Sequence, residues 1–273
     1  MRFLFFGDIV GGPGRAALKA RLPRLRETLR PAAVIANAEN AAGGIGLTRE
    51  TAQELFGAGV DVATGGNHSW RHAEVYTALD QDERILRPAN VHPSLPGRGV
   101  AVRRLSCGTS FAVINLLGRV FMDPADCPFR AAEAALAAIP AEVALRFVDF
   151  HAEATSEKRA MGLFLAGRVT AVVGTHTHVQ TADAAILPGG TAYITDMGMC
   201  GAEKPSILGM EPKTVIDRFV TGMPGRFKPV RAEGLLNGVI IDADPATGQA
   251  KAIHILREQP PVLWNPASGE PAP

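Results

Sequence analysis

Short apolar segments of the kind that form buried strands recur along this chain, and five of them lead directly into acidic, amide or imidazole side chains. The segments are FFGDIV, VIANAEN, GGNHSW, FVDFHAE and VVGTHTHV, and the side chains are Asp8, Glu39, Asn40, Asn67, His68, His151, His176 and His178. The carboxyl ends of neighbouring parallel strands meet at one edge of a sheet, where open α/β folds bind their ligands. We therefore expect these side chains to converge, and their chemistry favours a site for two metal ions.

The spacing of apolar residues predicts an α/β fold. In the first half, strand-type and helical patterns alternate, which is typical of parallel strands covered by helices. The predicted strands there are residues 2–6, 33–37 and 60–64, and the predicted helices are residues 14–29, a helix capped by Thr48, and residues 72–79. The second half carries more consecutive strand-type runs, several of them paired as hairpins. We expect two mixed β-sheets face to face, flanked by helices as a four-layer sandwich.

The chain has 273 residues, which is long enough for one large domain with a sizeable core. No internal repeat and no clear linker divides it, so we expect a single domain over residues 1–259. Residues 260–273 are rich in proline and form a C-terminal tail in this interpretation. Residues 211–228 contain a short helical pattern and several glycines and prolines, and this segment is a lid, an oligomer contact or an ordinary surface excursion.

Charge and cysteine content narrow the class of partner. Lys and Arg total 28 against 27 Asp and Glu, so the net charge of +1 gives no global electrostatic reason to expect DNA or an anionic membrane as the partner. The three cysteines, Cys107, Cys127 and Cys200, are widely separated and lack zinc-ribbon spacing, which favours free thiols in a reducing compartment. No stretch approaches the length of about 20 apolar residues that a membrane helix needs. We expect a cytoplasmic protein.

The type of each candidate residue suggests its role. The two oxygens of Glu39 can bridge two cations, whereas Asn67 offers a neutral oxygen ligand after the two glycines that let the backbone turn. Asn40 either adds an amide oxygen to one metal or binds a phosphate oxygen. His68 is displaced from Asn67 by one residue, and a non-ligand imidazole there can protonate a leaving oxygen. Imidazole, carboxylate and amide ligands without thiolate suit iron, manganese or zinc.

One competing motif points to a different class of protein. Residues 12–17, GPGRAA, fit the G-x-G-x-x-A pattern of a dinucleotide-binding loop after a strand and before a helix. Asp8 would repel a pyrophosphate bound there, and a dinucleotide site leaves the GNH and GTHTH motifs unexplained. The sequence contains neither a Walker A loop nor a G-x-S-x-G elbow.

At these residues the sequence resembles the calcineurin-like metallophosphoesterases, whose motifs run Asp, an acidic residue, GNH, His and GHxH. It is still more similar to the YmdB-like subgroup, which comprises bacterial phosphodiesterases that act on 2′,3′-cyclic nucleotides. The strings that carry this similarity are NAENAAGGIGLT, GGNH, GTHTHVQTAD, TDMGMCG and TGMPGRF. The sequence departs from the common pattern at three places. Val10 stands where a histidine is usual, Glu39 replaces an Asp, and the last motif is THTH instead of GHxH.

The resemblance implies two ligand sets and a catalytic residue. Asp8, Glu39, Asn40 and His178 would hold one metal ion, and Glu39, Asn67, His151 and His176 would hold the other, while His68 would be the catalytic histidine. The two ions would most naturally be Fe or Mn, with Zn as an alternative.

Our functional hypothesis is hydrolysis of a small phosphodiester, such as a 2′,3′-cyclic nucleotide, by a hydroxide that bridges the two metals. A phosphomonoesterase, a non-catalytic regulatory protein that binds metal and nucleotide, and a dinucleotide-binding oxidoreductase remain alternatives. The assembly state, including a homo-oligomer, stays open.

Overall fold

The chain folds around two β-sheets, described here from a computed structural model that covers residues 1–202 and 205–259 and the backbone of residues 264–265 and 270–271. The first sheet has the order β13-β12-β1-β3-β4, and the second has the order β5-β6-β7-β8-β10-β9. The strands of the first sheet are β1 (Arg2–Phe6), β3 (Ala33–Asn37), β4 (Val62–Thr64), β12 (Leu236–Ala243) and β13 (Ala250–Glu258). Those of the second sheet are β5 (Val100–Arg104), β6 (Ser110–Leu117), β7 (Leu145–His151), β8 (Ala171–Thr175), β9 (Ala185–Leu187) and β10 (Thr191–Ile194).

Two further strand pairs lie outside these sheets. The short strands β2 (Asp8–Ile9) and β11 (Met199–Cys200) pair in parallel, and β14 (Trp264–Asn265) pairs with β15 (Glu270–Pro271). Apart from the backbone of β14 and β15, the predicted proline-rich tail at residues 260–273 lies outside the described residues.

The described part of the chain forms six helices, and the first five of them cover the outer faces of the two large sheets. The six helices are α1 (Gly11–Leu29), α2 (Arg49–Ala58), α3 (Val75–Gln81), α4 (Pro128–Ala138), α5 (Thr155–Phe164) and α6 (Pro212–Thr221). Buried residues of α1, α2 and α3 pack on one face of the first sheet, and buried residues of α4 and α5 pack on one face of the second. None of the helices in the described part of the chain is long and apolar enough to cross a membrane.

A third apolar cluster lies between the sheets. It joins inward-facing residues of both, and its centre is aromatic: the ring of Phe147 lies 4.6 Å from that of Phe3 and 5.4 Å from that of Phe5. Tilted aromatic packing of this kind adds to the free energy gained from burying apolar area. The order of layers is helix, sheet, sheet, helix, so the predicted α/β four-layer architecture is confirmed.

The cluster between the sheets also bears on domain organisation. It contains Phe3 near the start of the chain together with Val239 and Ile241 near its end. On this basis we propose that residues 1–259 fold as a single domain, since neither sheet buries its inner face without the other.

Most predicted elements begin and end within a few residues of the observed ones. Helix α1 starts at Gly11, three residues before the predicted start at residue 14, because Pro13 is tolerated in the first turn of a helix, where its missing N–H is not needed. The helical pattern predicted around residues 215–220 is α6, a full ten-residue helix with proline in its first turn.

Candidate active site

The topology brings the ends of several strands to one place. Strands β1, β3 and β4 run parallel in the first sheet, as do β6, β7 and β8 in the second. Asp8, Glu39 and Asn67 lie shortly after the strands of the first sheet, whereas His151 and His176 lie at the ends of β7 and β8. The two edges face each other, and all eight candidate side chains take part in one connected cluster.

One group of donor atoms surrounds the ring nitrogen Nε2 of His151. Asn67 Oδ1 lies 3.1 Å from it, His176 Nδ1 lies 3.0 Å from it, and Glu39 Oε1 lies 3.3 Å from it. Glu39, His151 and His176 each offer a ligand atom within 4.8 Å of the others. The approach requires glycine at position 66, because a Cβ there would lie 2.1 Å from Glu39 Oε2.

A second group adjoins the first through Glu39. Asn40 Nδ2 lies 3.0 Å from Glu39 Oε1 and 3.2 Å from His178 Nε2. His178 Nε2 in turn lies 3.8 Å from Asp8 Oδ1. Glu39 is therefore common to both groups, as the bridging role requires.

His68 lies beside the cluster rather than inside it. Its Nδ1 lies 2.9 Å from Asn40 Oδ1 and 3.1 Å from Glu39 Oε1, and its backbone N–H donates to Glu39 Oε2 at 3.0 Å. The side chain is 31% exposed, whereas the carboxylate of Glu39 is buried. This position leaves the Nε2 edge of the ring for a reacting group.

The hydrogen bonds of the three imidazoles suit a metal site. His151 Nδ1 can donate to Thr175 Oγ1 at 3.0 Å, His176 Nε2 to Glu153 at 3.1 Å, and His178 Nδ1 to the Leu208 carbonyl at 3.4 Å. The other nitrogen of each ring then presents a lone pair inward, which is how metal-binding histidines are held.

The carboxylates suit a metal site for a different reason. Asp8 is fully buried, and its Oδ1 has no hydrogen-bond partner in the described part of the chain, although its Oδ2 accepts from the backbone N–H of His176 at 3.1 Å. An unpaired buried carboxylate oxygen is costly unless a cation satisfies it. The residues of this cluster therefore fit a bound metal ion.

Burial and the close packing of charged groups shift the pKa values of side chains in the cluster. Burial raises the pKa of Asp8 to about 6. Burial opposes a charge on His151, but the carboxylate of Glu39 outweighs it and raises the pKa of His151 to about 9. Burial and the neighbouring His151 lower the pKa of His176 to about 3. The raised pKa favours a second proton on His151, at Nε2, when no metal is bound, and a cation that binds Nε2 would displace that proton.

The sequence matches a known family over most of its length, since the YmdB-like proteins match residues 4–256. The chain belongs to the YmdB-like family. This chain is 47% identical to the 2′,3′-cyclic-nucleotide 2′-phosphodiesterase of Bacillus subtilis (strain 168), over 93% of this chain and 96% of that protein.

Two crystal structures share the YmdB-like fold of this chain. A hypothetical protein from Thermus thermophilus superposes with a TM-score of 0.88 at 42% identity, covering 95% of this chain and 100% of that one. A protein of Mycoplasma pneumoniae described as a novel phosphatase also gives a TM-score of 0.88, at 34% identity, covering 96% of this chain and 95% of that one. The family resemblance inferred from the sequence is confirmed.

In this YmdB-like chain the two histidines of the THTH motif adopt left-handed backbone conformations, with φ of 100° at His176 and 66° at His178. With these backbone angles the ring of His176 meets His151, while the ring of His178 meets Asn40. Positive φ is unfavourable for residues other than glycine and persists only where the surroundings impose it.

Asp196, which the sequence analysis missed, imposes that backbone. Its Oδ2 accepts from the backbone N–H and the hydroxyl of Thr177, at 3.1 and 2.8 Å. The same oxygen lies 2.6 Å from the ammonium of Lys158, and both side chains of this ion pair are buried. Thr177 therefore fixes the loop rather than a histidine ring.

Asp149 is a second residue that the sequence analysis missed. Its Oδ1 accepts from Thr175 Oγ1 at 2.7 Å, and its Oδ2 accepts from Asn37 at 3.0 Å and from Thr64. A Thr175 hydroxyl that donates to Asp149 has its lone pairs free for the Nδ1–H of His151. The order of these bonds fixes the tautomer of His151.

Thr175→Val is expected to weaken metal binding about 10–100-fold, because outer partners of metal-binding histidines carry effects of that size. Titration of metal-depleted protein with Mn²⁺ in a calorimeter measures the change. Thr64→Val is the matched control, since it removes another hydroxyl from Asp149 without touching His151. Equal losses in the two variants would contradict the role given to Thr175.

Other features of the sequence lie outside the cluster. His72 bonds the Ile45 carbonyl at 2.9 Å, and His92 bonds Ser94 at 2.8 Å. The GPGRAA motif forms the first turns of α1, and at Gly14 a Cβ would lie 2.2 Å from the Cys200 carbonyl, so the second glycine of that motif serves helix packing. The three cysteines are free thiols, as predicted.

Proposed function

We propose that this chain hydrolyses small phosphodiesters, with 2′,3′-cyclic nucleotides as the favoured substrates, at a centre of two metal ions. The observation that carries the proposal is the pair of donor groups that share the buried carboxylate of Glu39. The name of the Bacillus subtilis relative, a 2′,3′-cyclic-nucleotide 2′-phosphodiesterase, supports the choice of substrate.

In this proposal Asp8, Glu39, Asn40 and His178 hold one ion, and Glu39, Asn67, His151 and His176 hold the other. Oxygen and imidazole ligands without thiolate suit Fe and Mn, with Zn as the alternative. When bound, such a pair supplies a water of lowered pKa and neutralises charge on the phosphoryl oxygens.

The remaining steps belong to the protein's own side chains. As the general acid, His68 would keep its Nδ1 on Asn40 Oδ1 and pass a proton from Nε2 to the ribose oxygen that leaves the phosphorus. Glu153, outside the cluster, keeps His176 in the orientation that presents Nδ1 inward. The buried position of Glu39 and Asp8 keeps bulk water away from the ligand side of the site.

Hydrolysis of 2′,3′-cyclic AMP and of bis-p-nitrophenyl phosphate with added Mn²⁺ tests the proposal. We expect turnover of both by the native protein and a loss of about 10²–10⁴-fold in His68→Ala, the usual contribution of a general acid. His72→Ala is the matched control, because His72 bonds a backbone carbonyl away from the cluster. Native turnover no greater than that of His68→Ala on either diester would remove the diesterase proposal.

A phosphomonoesterase is the second candidate, because the Mycoplasma pneumoniae relative is described as a phosphatase. Parallel assays on p-nitrophenyl phosphate and 3′-AMP separate the two. Faster hydrolysis of the monoesters than of the diesters would favour the second candidate, and tight metal binding without any hydrolysis would favour a regulatory protein.

A further inference from the structure

We propose that Phe121 is the base-binding residue of this enzyme and stacks against the nucleobase of a nucleotide whose phosphodiester lies at the metal site. The inference rests on the proposed function and adds a specificity-determining residue to it. Phe121 lies on the loop of residues 118–126, called here the base loop, which connects β6 to α4.

The base loop begins at the edge of the active site. Strand β6 pairs in parallel with β7, and their register places Leu117 opposite His151. The backbone N–H of Gly118 donates to the His151 carbonyl at 2.9 Å. Three residues of chain span at most about 11 Å, so Phe121 stays within that distance of Gly118. The base loop therefore leaves the sheet beside His151, next to the cluster that would hold the phosphate.

Buried side chains hold the base loop at both ends. The carboxylate of Glu157 on α5 accepts from the backbone N–H groups of Arg119, at 3.0 Å, and Val120, at 3.2 Å. The amide of Asn90 donates to the carbonyls of Leu117, at 2.7 Å, and Asp126, at 2.9 Å. The loop is thus fixed in place rather than merely connecting two elements.

Phe121 itself has an unusual conformation for its residue type. Its φ is 60°, in the left-handed region that asparagine or glycine adopts more readily, and its side chain is 89% exposed. The anchored loop therefore exposes the Phe121 ring to water, and it does so with a backbone angle that is unfavourable for phenylalanine. Such outliers cluster at ligand-binding sites, where the strain is offset by the surrounding structure.

Stacking on an aromatic ring recognises any base, because every base has a π-face, and losing one such contact weakens binding by about 5–150-fold. The proposal therefore predicts discrimination between substrates with and without a base, and little preference among bases.

The test compares Phe121→Ala with the native protein on 2′,3′-cyclic AMP and on methyl riboside 2′,3′-cyclic phosphate, which lacks the base. We expect the KM for cyclic AMP to rise about 5–150-fold with kcat nearly unchanged, no change for the base-free substrate, and near-native values in Phe121→Trp. Phe219→Ala on α6, where the ring is 86% exposed, is the matched control and should leave both substrates unaffected.

Binding of 3′-AMP and of ribose 3-phosphate, measured by calorimetry, separates this inference from the proposed function. If the native protein binds 3′-AMP but hydrolyses no diester, the proposed function fails while the role of Phe121 is still tested by the binding constants. Equal effects of Phe121→Ala on ligands with and without a base, no effect on either, or base-dependent losses only in Phe219→Ala would each overturn the inference.

Discussion

Glu39→Gln is expected to reduce phosphodiester hydrolysis by about 10³-fold or more and to weaken metal binding by more than about 100-fold. Glu39 is the one side chain shared by the two donor groups, and glutamine replaces its charge with a neutral amide that cannot bridge two cations. Partners one step removed from a metal already change affinity by about 10–100-fold, so a bridging ligand must exceed that range. Rates on 2′,3′-cyclic AMP and Mn²⁺ titrations of the metal-depleted protein measure the two effects.

The matched control is Glu54→Gln, since Glu54 is a partly exposed glutamate that pairs with Arg15 at 2.6 Å. It should leave both rate and metal affinity unchanged and alter stability by no more than about 1 kcal/mol. If Glu39→Gln hydrolysed the substrate within about tenfold of the native rate, the bridging role would be wrong.

Asp196→Asn is expected to destabilise the protein by about 3–5 kcal/mol, because it leaves the buried ammonium of Lys158 without its counter-charge. For a chain of this size the melting temperature should fall on the order of 10 °C. The Asp196 carboxylate also holds Thr177, so release of the strained backbone at His176 and His178 should lower metal affinity as well. Urea denaturation in the presence of a chelator measures stability without a contribution from bound metal.

The same exchange at Asp217 is the control. Lys213 and Asp217 form an ion pair of the same chemistry at 2.5 Å, but both side chains are exposed on α6. Asp217→Asn should cost about 0–1 kcal/mol. If the two variants had similar free energies of unfolding, burial would not determine how much the Lys158–Asp196 ion pair contributes to stability.

The sequence allowed us to predict a site residue wherever a metal-binding side chain comes directly after an apolar strand. Asp8, Glu39 and His151 each follow such a run, and topology then requires that the ends of parallel strands meet. The GGNH motif was predictable for a related reason, since only glycine at position 66 lets the loop approach Glu39 and His151 so closely.

The supporting residues were not predictable in the same way. Asp149 lies inside a strand that reads as apolar, and its position two residues before His151, on the same face of that strand, is the one signal that could have found it. Asp196 follows a strand 18 residues after His178, and no spacing links it to a histidine. Their partners, Thr175 and Lys158, become neighbours only when the second sheet and α5 pack together. The backbone angle of Phe121 is likewise a property of the loop's anchors, because phenylalanine has no intrinsic preference for it.

We propose that one buried cluster holds two cations and that Glu39 binds both. Elemental analysis of metal-depleted protein reloaded with Mn²⁺ and freed of excess ion tests it most directly. We expect two ions per chain in the native protein and little retained metal in Glu39→Gln. His178→Ala should retain one ion, because His178 Nε2 belongs to the Asp8 group only. A native chain that retains one ion or none, or an unchanged content in Glu39→Gln, would contradict the proposal.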